Sequence, residues 1–192
     1  MVDLTASNIL LYNDQQIALW TRFLKNLISR DHEYVLISST QLVGVSLFIF
    51  SLSIHVDHIT EVSISSVKTG LGGTTGNKGG VAISMKLYAS KLCFICSHFA
   101  AGNSLNNLNQ RNQDYIDICD QLSFDRDATI FSHDIVFWLG DLNYRINLPY
   151  EETRYFSTKN TLRVLLDQDQ LLFCQSKKKA FTDFKEGVIK FP

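Results

Sequence analysis

The sequence has no apolar run long enough to span a bilayer, and no cleavable leader is visible at its start. It also has no excess of charge. With 18 basic and 19 acidic residues the formal net charge is −1, so there is no global positive field of the kind that draws a protein to nucleic acid or anionic lipid. The run Lys177-Lys178-Lys179 is local, and a solvated loop is its default reading, with membrane contact the lesser alternative. Proline is scarce, two in 192 residues, and no repeat, low-complexity stretch or linker interrupts the chain. What remains, with 45% hydrophobic residues, can bury a core as one domain or part of one.

Cysteine is also sparse. Of the four, Cys93 and Cys96 have the two-residue gap of a metal or redox pair, but both lie in the apolar run 92–96. On a strand, positions three apart face opposite ways, so the two thiols cannot pinch one zinc ion, and no second pair completes such a site. The four read as reduced core residues of a cytoplasmic protein.

The hydrophobic pattern alternates strands with helices. Asn13 or Asp14 is placed to cap a helix with Ile17, Trp20, Leu24, Leu27 and Ile28 along one stripe. Strands are expected at 34–38, 62–68, 81–88 and 91–97. A further strand at 42–53 is nearly continuous in apolar residues and so expected to be buried on both faces. Helical spacing of Leu105, Leu108, Asn112, Tyr115, Cys119 and Leu122 predicts a helix over 104–122. Shorter helices are expected at 151–156 and 161–167, and a mixed tail follows. Several long strands mixed with helices indicate an α/β layered domain.

Three stretches carry candidate chemistry. The first follows the apolar run 135–139: Gly140-Asp141-Leu142-Asn143-Tyr144-Arg145. Strand alternation would put Asp141, Asn143 and Arg145 on one side and Leu142 and Tyr144 on the other. A carboxylate to hold water or metal, an amide to orient it and a cation for an anionic substrate suit phosphate-ester hydrolysis; a strand end with a polar turn is the plain alternative. The second holds six of the ten glycines between Gly70 and Gly80, with Asn77 and Lys78 inside it. Such a loop could curl its amides around an anion, or it could be a hairpin turn. It is not a nucleotide P-loop, because Asn77 separates Lys78 from the preceding glycine and a strand rather than a helix follows. The third is Cys96-Ser97-His98-Phe99-Ala100-Ala101-Gly102, followed by Arg111-Asn112-Gln113-Asp114-Tyr115. The adjacent pair His133-Asp134 precedes the 135–139 strand, so it is expected at the opposite end of the sheet from Asp141, in a cap or turn.

In this order and spacing the motifs resemble the catalytic domain of the inositol polyphosphate 5-phosphatases, in the form they take in the synaptojanin branch. The resemblance runs over 1–192. It implies the four-layer α/β sandwich of the DNase I-like endonuclease/exonuclease/phosphatase superfamily, with this chain an internal portion of one such catalytic domain. It implies removal of the 5-phosphate from phosphatidylinositol 4,5-bisphosphate by metal-activated water, with Mg2+ as cofactor. His98, Asp141 and Asn143 take catalytic roles by the same resemblance: His98 bonding the scissile phosphate, Asp141 polarising the attacking water, Asn143 orienting it. Asn77 and Lys78 match the contact to the phosphate that tethers the inositol ring to its lipid. Arg145 is a substrate-binding candidate, with packing or a structural ion pair an equal possibility.

The resemblance also implies partners and gaps. The expected partners are a phosphoinositide lipid or soluble inositol phosphate and a peripheral membrane surface, with no nucleic acid. A cytoplasmic, membrane-associated location and a role in endocytic traffic rest on the likeness alone. The family's metal-binding glutamate precedes the segment matching Met1-Val2-Asp3-Leu4. Its 4-phosphate grip, Trp-Asp-Arg string and closing Asp-His pair follow the segment ending at Pro192. The isolated chain is therefore expected to be at best weakly folded and inactive, with no metal ligand of its own. Two readings stay open: a nuclease of the same superfamily, and a non-catalytic inositide- or protein-binding form.

Overall fold

The computed structural model describes residues 14–70, 72–159 and 161–191. Asn13, one of the two residues expected to cap the first helix, and Leu71 of the glycine-rich segment lie outside the described residues. Helix α1 (Asp14–Ile28) leads into the hairpin β1 (Tyr34–Leu42) and β2 (Val45–Leu52). The second hairpin, β3 (Ile59–Gly70) and β4 (Thr75–Leu87), continues into β5 (Ser90–His98). Helix α2 (Leu105–Gln121) and the short pair β6 (Ser123–Phe124) and β7 (Ala128–Thr129) then precede β8 (Ile135–Asp141). Helices α3 (Tyr150–Thr158), α4 (Leu162–Leu166) and α5 (Gln170–Ser176) follow.

Two compact units result, one running to Phe99 and including Asp117–Asp141, the other formed by Ala100–Ile116 and the chain from Leu142. In the first unit the main sheet has the order β3-β4-β5-β8. Its first two pairings are antiparallel. The last is parallel, a pairing that needs a long crossover, supplied here by the connection through α2. Val81, Ile83 and Met85 of β4 form the core with Leu92 of β5 and with Leu42, Val45 and Leu47 of the first hairpin.

Several expectations change here. The strand buried on both faces is β4, buried at every position from Gly79 to Met85, and not the 42–53 run. That run begins in a turn, and in β2 only Val45 and Leu47 are buried, because the hairpin packs one face on the core. The stripe on α1 is also less enclosed than its pattern suggests: Trp20, Leu27 and Ile28 are exposed while Ile17 and Leu24 are half-buried. Most of the glycine-rich segment is strand. Gly76, Asn77, Lys78, Gly79 and Gly80 belong to β4, with Gly79 opposite both Lys68 and His98, so their backbone serves the ladder instead of curling around an anion. The hairpin reading of that segment holds.

At the far edge, β8 turns Ile135, Phe137 and Leu139 outward, each exposed, while Val136 and Trp138 face inward, half-buried. The Trp138 indole donates to Ser97 Oγ at 2.8 Å, tying β8 to β5. Cys93 and Cys96 sit on opposite faces of β5, as alternation demands, and all four cysteines are free thiols. Burial pushes the Cys93 thiol up to about 12 and raises Cys96 as well, which suits inert core thiols.

Gly140 shows what the motif's glycine is for. It adopts φ 125°, and a Cβ there would overlap the Ser97 carbonyl oxygen of the neighbouring strand. Gly72, by contrast, has φ 66° with open space around it. Gly140→Ala should therefore cost about 3 kcal/mol or more, and Gly72→Ala about 1 kcal/mol, since only the first adds a backbone collision to the left-handed strain. Urea unfolding midpoints of the two variants check this, and equal losses would reject it.

Candidate functional site

In the first unit the parallel pairing of β5 with β8 sets Ser97 opposite Gly140 and His98 opposite Asp141. Both strands thus deliver a polar side chain at their carboxyl ends, and Phe99 N donates to Asp141 O at 3.0 Å to fix the last rung. The antiparallel strand β4 brings Lys78 to the same end, one residue before Gly79, which pairs with His98. Lys78 Nζ lies 2.6 Å from His98 Nε2, and His98 Nε2 lies 3.6 Å from Asp141 Oδ2. An ammonium has only donors, so His98 Nε2 accepts and its ring proton sits on Nδ1. Burial first, then the Lys78 charge, hold the His98 imidazole below its ordinary value of 6.5, against an opposing pull from Asp141. The His98 side chain is 21% exposed. Asp141 is open to solvent, at 65%.

Asn77 is not part of this arrangement in the way Lys78 is. Asn77 Oδ1 accepts from the Thr75 hydroxyl at 2.7 Å within its own hairpin. His133 and Asp134 lie at the amino ends of the same strands. Asp134 Oδ2 accepts from Lys91 N at 2.8 Å, while His133 hydrogen-bonds Ser84 Oγ at 2.6 Å through Nε2 and Ile130 O at 3.0 Å through Nδ1. Their role is structural, at the opposite end of the sheet from His98 and Asp141.

The second unit holds the rest of the Gly-Asp-Leu-Asn string, and here strand alternation fails. The ladder stops at Asp141 and Asn143 takes φ 56°, a left-handed conformation that asparagine tolerates better than most residues. What joins Asn143 to Arg145 is a hydrogen bond, Arg145 Nη2 to Asn143 Oδ1 at 2.7 Å, and not a shared strand face. Tyr144 turns inward, half-buried, and its hydroxyl donates to Asn112 Oδ1 at 2.7 Å. Burial raises its ionisation well above the usual phenol range.

Beneath these residues lies a buried polar network that sequence reasoning missed. Arg111 is fully buried and its Nη1 donates to the carbonyls of Ala100 and Gly102 at 3.1 and 2.9 Å. Its Nη2 donates to Gln170 Oε1 at 2.7 Å, and its guanidinium lies 5.7 Å above the Tyr144 ring. Burial and then the Arg145 charge draw Arg111 below its ordinary value, with Tyr144, Cys174 and Asp114 opposing. Asp114, also fully buried, accepts from Ala100 N at 2.7 Å and from Gln110 Nε2 at 3.1 Å. The sequence did hold a signal: Arg111 and Asp114 interrupt the inward face of an amphipathic helix, where unpaired charge is costly.

No group of three or more His, Cys, Asp or Glu side chains among the described residues could hold a metal ion. The carboxylate and imidazole present do not by themselves fit a magnesium site.

The profile of Endonuclease/Exonuclease/phosphatase family 2 matches residues 1–192. Synaptojanin-2 of Rattus norvegicus is 47% identical over 191 residues, covering 100% of this chain and 13% of its own. The Type I inositol polyphosphate 5-phosphatase 5 of Arabidopsis thaliana is 39% identical over 167 residues, 82% of this chain and 32% of its own. A crystal structure of the inositol polyphosphate 5-phosphatase domain of SpSynaptojanin, in complex with inositol (1,4)-bisphosphate and calcium ion, superposes with a TM-score of 0.86. It has 38% identity and covers 94% of this chain and 53% of that one. The chain therefore spans only a part of each of these relatives, and the α/β fold expected of the DNase I-like superfamily is the fold found. By whole-length profile match and by fold, the chain belongs to Endonuclease/Exonuclease/phosphatase family 2, in the stretch that resembles the inositol polyphosphate 5-phosphatase domain.

Proposed function

We propose that these 192 residues are an internal portion of an inositol polyphosphate 5-phosphatase catalytic domain. In the complete domain they serve hydrolysis of the 5-phosphate of phosphatidylinositol 4,5-bisphosphate. The observation that carries the reading is the Lys78–His98–Asp141 cluster at the strand ends, where an ammonium lies 2.6 Å from an imidazole nitrogen and that nitrogen 3.6 Å from a solvent-exposed carboxylate. The chain's similarity to synaptojanin-2 and to a domain crystallised with inositol (1,4)-bisphosphate supports the substrate class.

In this reading Asp141 accepts a hydrogen bond from water and aims it at phosphorus, which suits its exposure. Water oxygen adds to phosphorus as the bond to the inositol oxygen breaks; the water gives up a proton by way of Asp141, the leaving inositol oxygen takes one up from solvent, and no covalent enzyme intermediate forms. Lys78 supplies positive charge against the phosphate oxygens, and His98 hydrogen-bonds one of them. Asn143, its Oδ1 held by Arg145, offers its amide nitrogen as a donor to the phosphate or the water. Arg145 contributes charge at the same loop, and Asn77 a polar contact near the hairpin end. Magnesium is the proposed divalent ion. It would supply charge neutralisation at a phosphate oxygen. The described residues form no cluster that would hold it, and its glutamate ligand is proposed, on the family resemblance, to come from elsewhere in the complete domain. The proposed setting is the cytoplasmic surface of a membrane. The substrate takes the protein there, and among the described residues no helix is long and apolar enough to cross.

Two outcomes test this. In a complete domain, Asp141→Asn should reduce phosphate release from phosphatidylinositol 4,5-bisphosphate by about 1,000-fold or more with an unchanged circular dichroism spectrum, and near-normal turnover would reject the role. The 192-residue polypeptide alone should release no phosphate with magnesium.

A separate outcome concerns pH. Unfolded His98 takes up a proton near 6.5 and folded His98 only below that, so the unfolded state binds more protons in between. Its contribution to stability is thus present above 6.5 and lost as pH falls from 6.5 toward the folded value. A proton NMR titration should give a His98 midpoint below 6.5, and Lys78→Met should move it up. A midpoint that stays put in the variant would remove Lys78 from this account.

A further inference from the structure

Gln170 is a neutral amide, 4% exposed, at the start of a seven-residue helix whose cap is its neighbour Asp169, which accepts from Leu172 N at 2.8 Å. A buried glutamine is costly unless both ends of its amide are satisfied, so its partners identify its role. Its Oε1 accepts from two donors at once, Arg111 Nη2 at 2.7 Å and the backbone N–H of Arg145 at 2.9 Å. Its Nε2 donates to Asn147 Oδ1 at 2.8 Å, and its own backbone N donates to Arg145 O at 3.0 Å. Both backbone groups of Arg145 are thus held by one residue. The neighbouring rungs extend the grip: Ile146 bridges Asp169, and Asn147 N donates to Gln168 O at 2.9 Å. Arg111 in turn is anchored on the carbonyls of Ala100 and Gly102, so the clamp is rooted in the interior of its unit.

We infer that Gln170 is the positioning residue of the Asn143–Arg145 loop, acting through the backbone of Arg145. The chain of contacts is short: Gln170 fixes the Arg145 backbone, and the Arg145 side chain fixes the Asn143 amide. Asn143 needs that support because its left-handed backbone is not held by a sheet ladder. Misplacing a catalytic amide by about 1 Å costs about 100-fold in rate without requiring loss of the fold. The inference rests on the proposed roles of Asn143 and Arg145 in phosphate hydrolysis.

The test compares Gln170→Glu with Gln170→Leu in the full-length protein that contains this sequence. Glutamate keeps an acceptor for Arg111 and for Arg145 N, and loses only the donor to the exposed Asn147. Leucine removes all three side-chain bonds. Hydrogen exchange at the Arg145 amide reads the positioning itself, and phosphate release from phosphatidylinositol 4,5-bisphosphate reads its consequence. Gln170→Leu should lose protection at Arg145 and lower kcat by about 100-fold with KM within about threefold. Gln170→Glu should keep the protection and stay within about fivefold of the parent in kcat. If Gln170→Leu leaves Arg145 protected, or leaves kcat unchanged, the inference fails. If Gln170→Leu unfolds the protein, the glutamate variant still decides, because loss of Arg145 protection there overturns it. Asn143→Ala, measured alongside, separates the two layers: full turnover in that variant overturns the catalytic reading of the loop, whatever the exchange at Arg145.

Discussion

Register in the parallel pair β5 and β8 is the constraint on which the first unit's site depends. Because Leu92 faces Ile135 and the count continues without a bulge, the two strands end together, with His98 opposite Asp141. A slip of one residue would turn Asp141 to the other face of the sheet and leave His98 facing a glycine. Two features hold that register. Gly140 lets the Ser97 carbonyl come closer than any side chain would permit, and the Trp138 indole reaches across to Ser97 Oγ. Both converge on the residue just before the histidine. The close approach that Gly140 permits is that of the neighbouring strand.

Much of this was legible in advance for physical reasons. The runs that became β5 and β8 are short, apolar and closed by polar residues, a pattern that fits buried strands carrying function at their ends. The Cys93–Cys96 pair could be dismissed as a metal clip by alternation alone, and His133-Asp134 could be sent to the far end of the sheet by direction alone. Alternation misled where a strand was assumed to continue. Nothing local in Leu142-Asn143-Tyr144 announces that the ladder stops at Asp141, although an asparagine in that position is compatible with the left-handed turn it makes. The glycine-rich segment misled in the other direction. Its composition suggested a free loop, whereas most of it is a strand squeezed between two neighbours.

The clamp at Gln170 was beyond reach of pattern reading. Its partners lie 23, 25 and 59 residues away along the chain, and the helix it opens is only seven residues long, too short for periodicity to reveal. Arg111 and Asp114 left a fainter trace, as charges on the inward side of α2. That trace says such residues must be satisfied, but not by what.

The electrostatics of the first unit add a condition to the proposed chemistry. His98 offers a lone pair at Nε2 while Lys78 donates to it, and in that state Nε2 has no proton to give a phosphate oxygen. An arriving phosphate dianion competes for the same ammonium. Once Lys78 turns to the phosphate, its charge, which depresses His98 second to burial, is paired with an anion. Asp141, 3.6 Å away, then favours the imidazolium together with the new negative charge. Proton uptake at Nε2 converts the histidine from acceptor to donor at the moment a donor is needed. In the proposed reading, an imidazole held down by burial and by Lys78 and an imidazole that donates to a phosphate oxygen are two states of one three-residue cluster, exchanged by the anion that the cluster is proposed to bind.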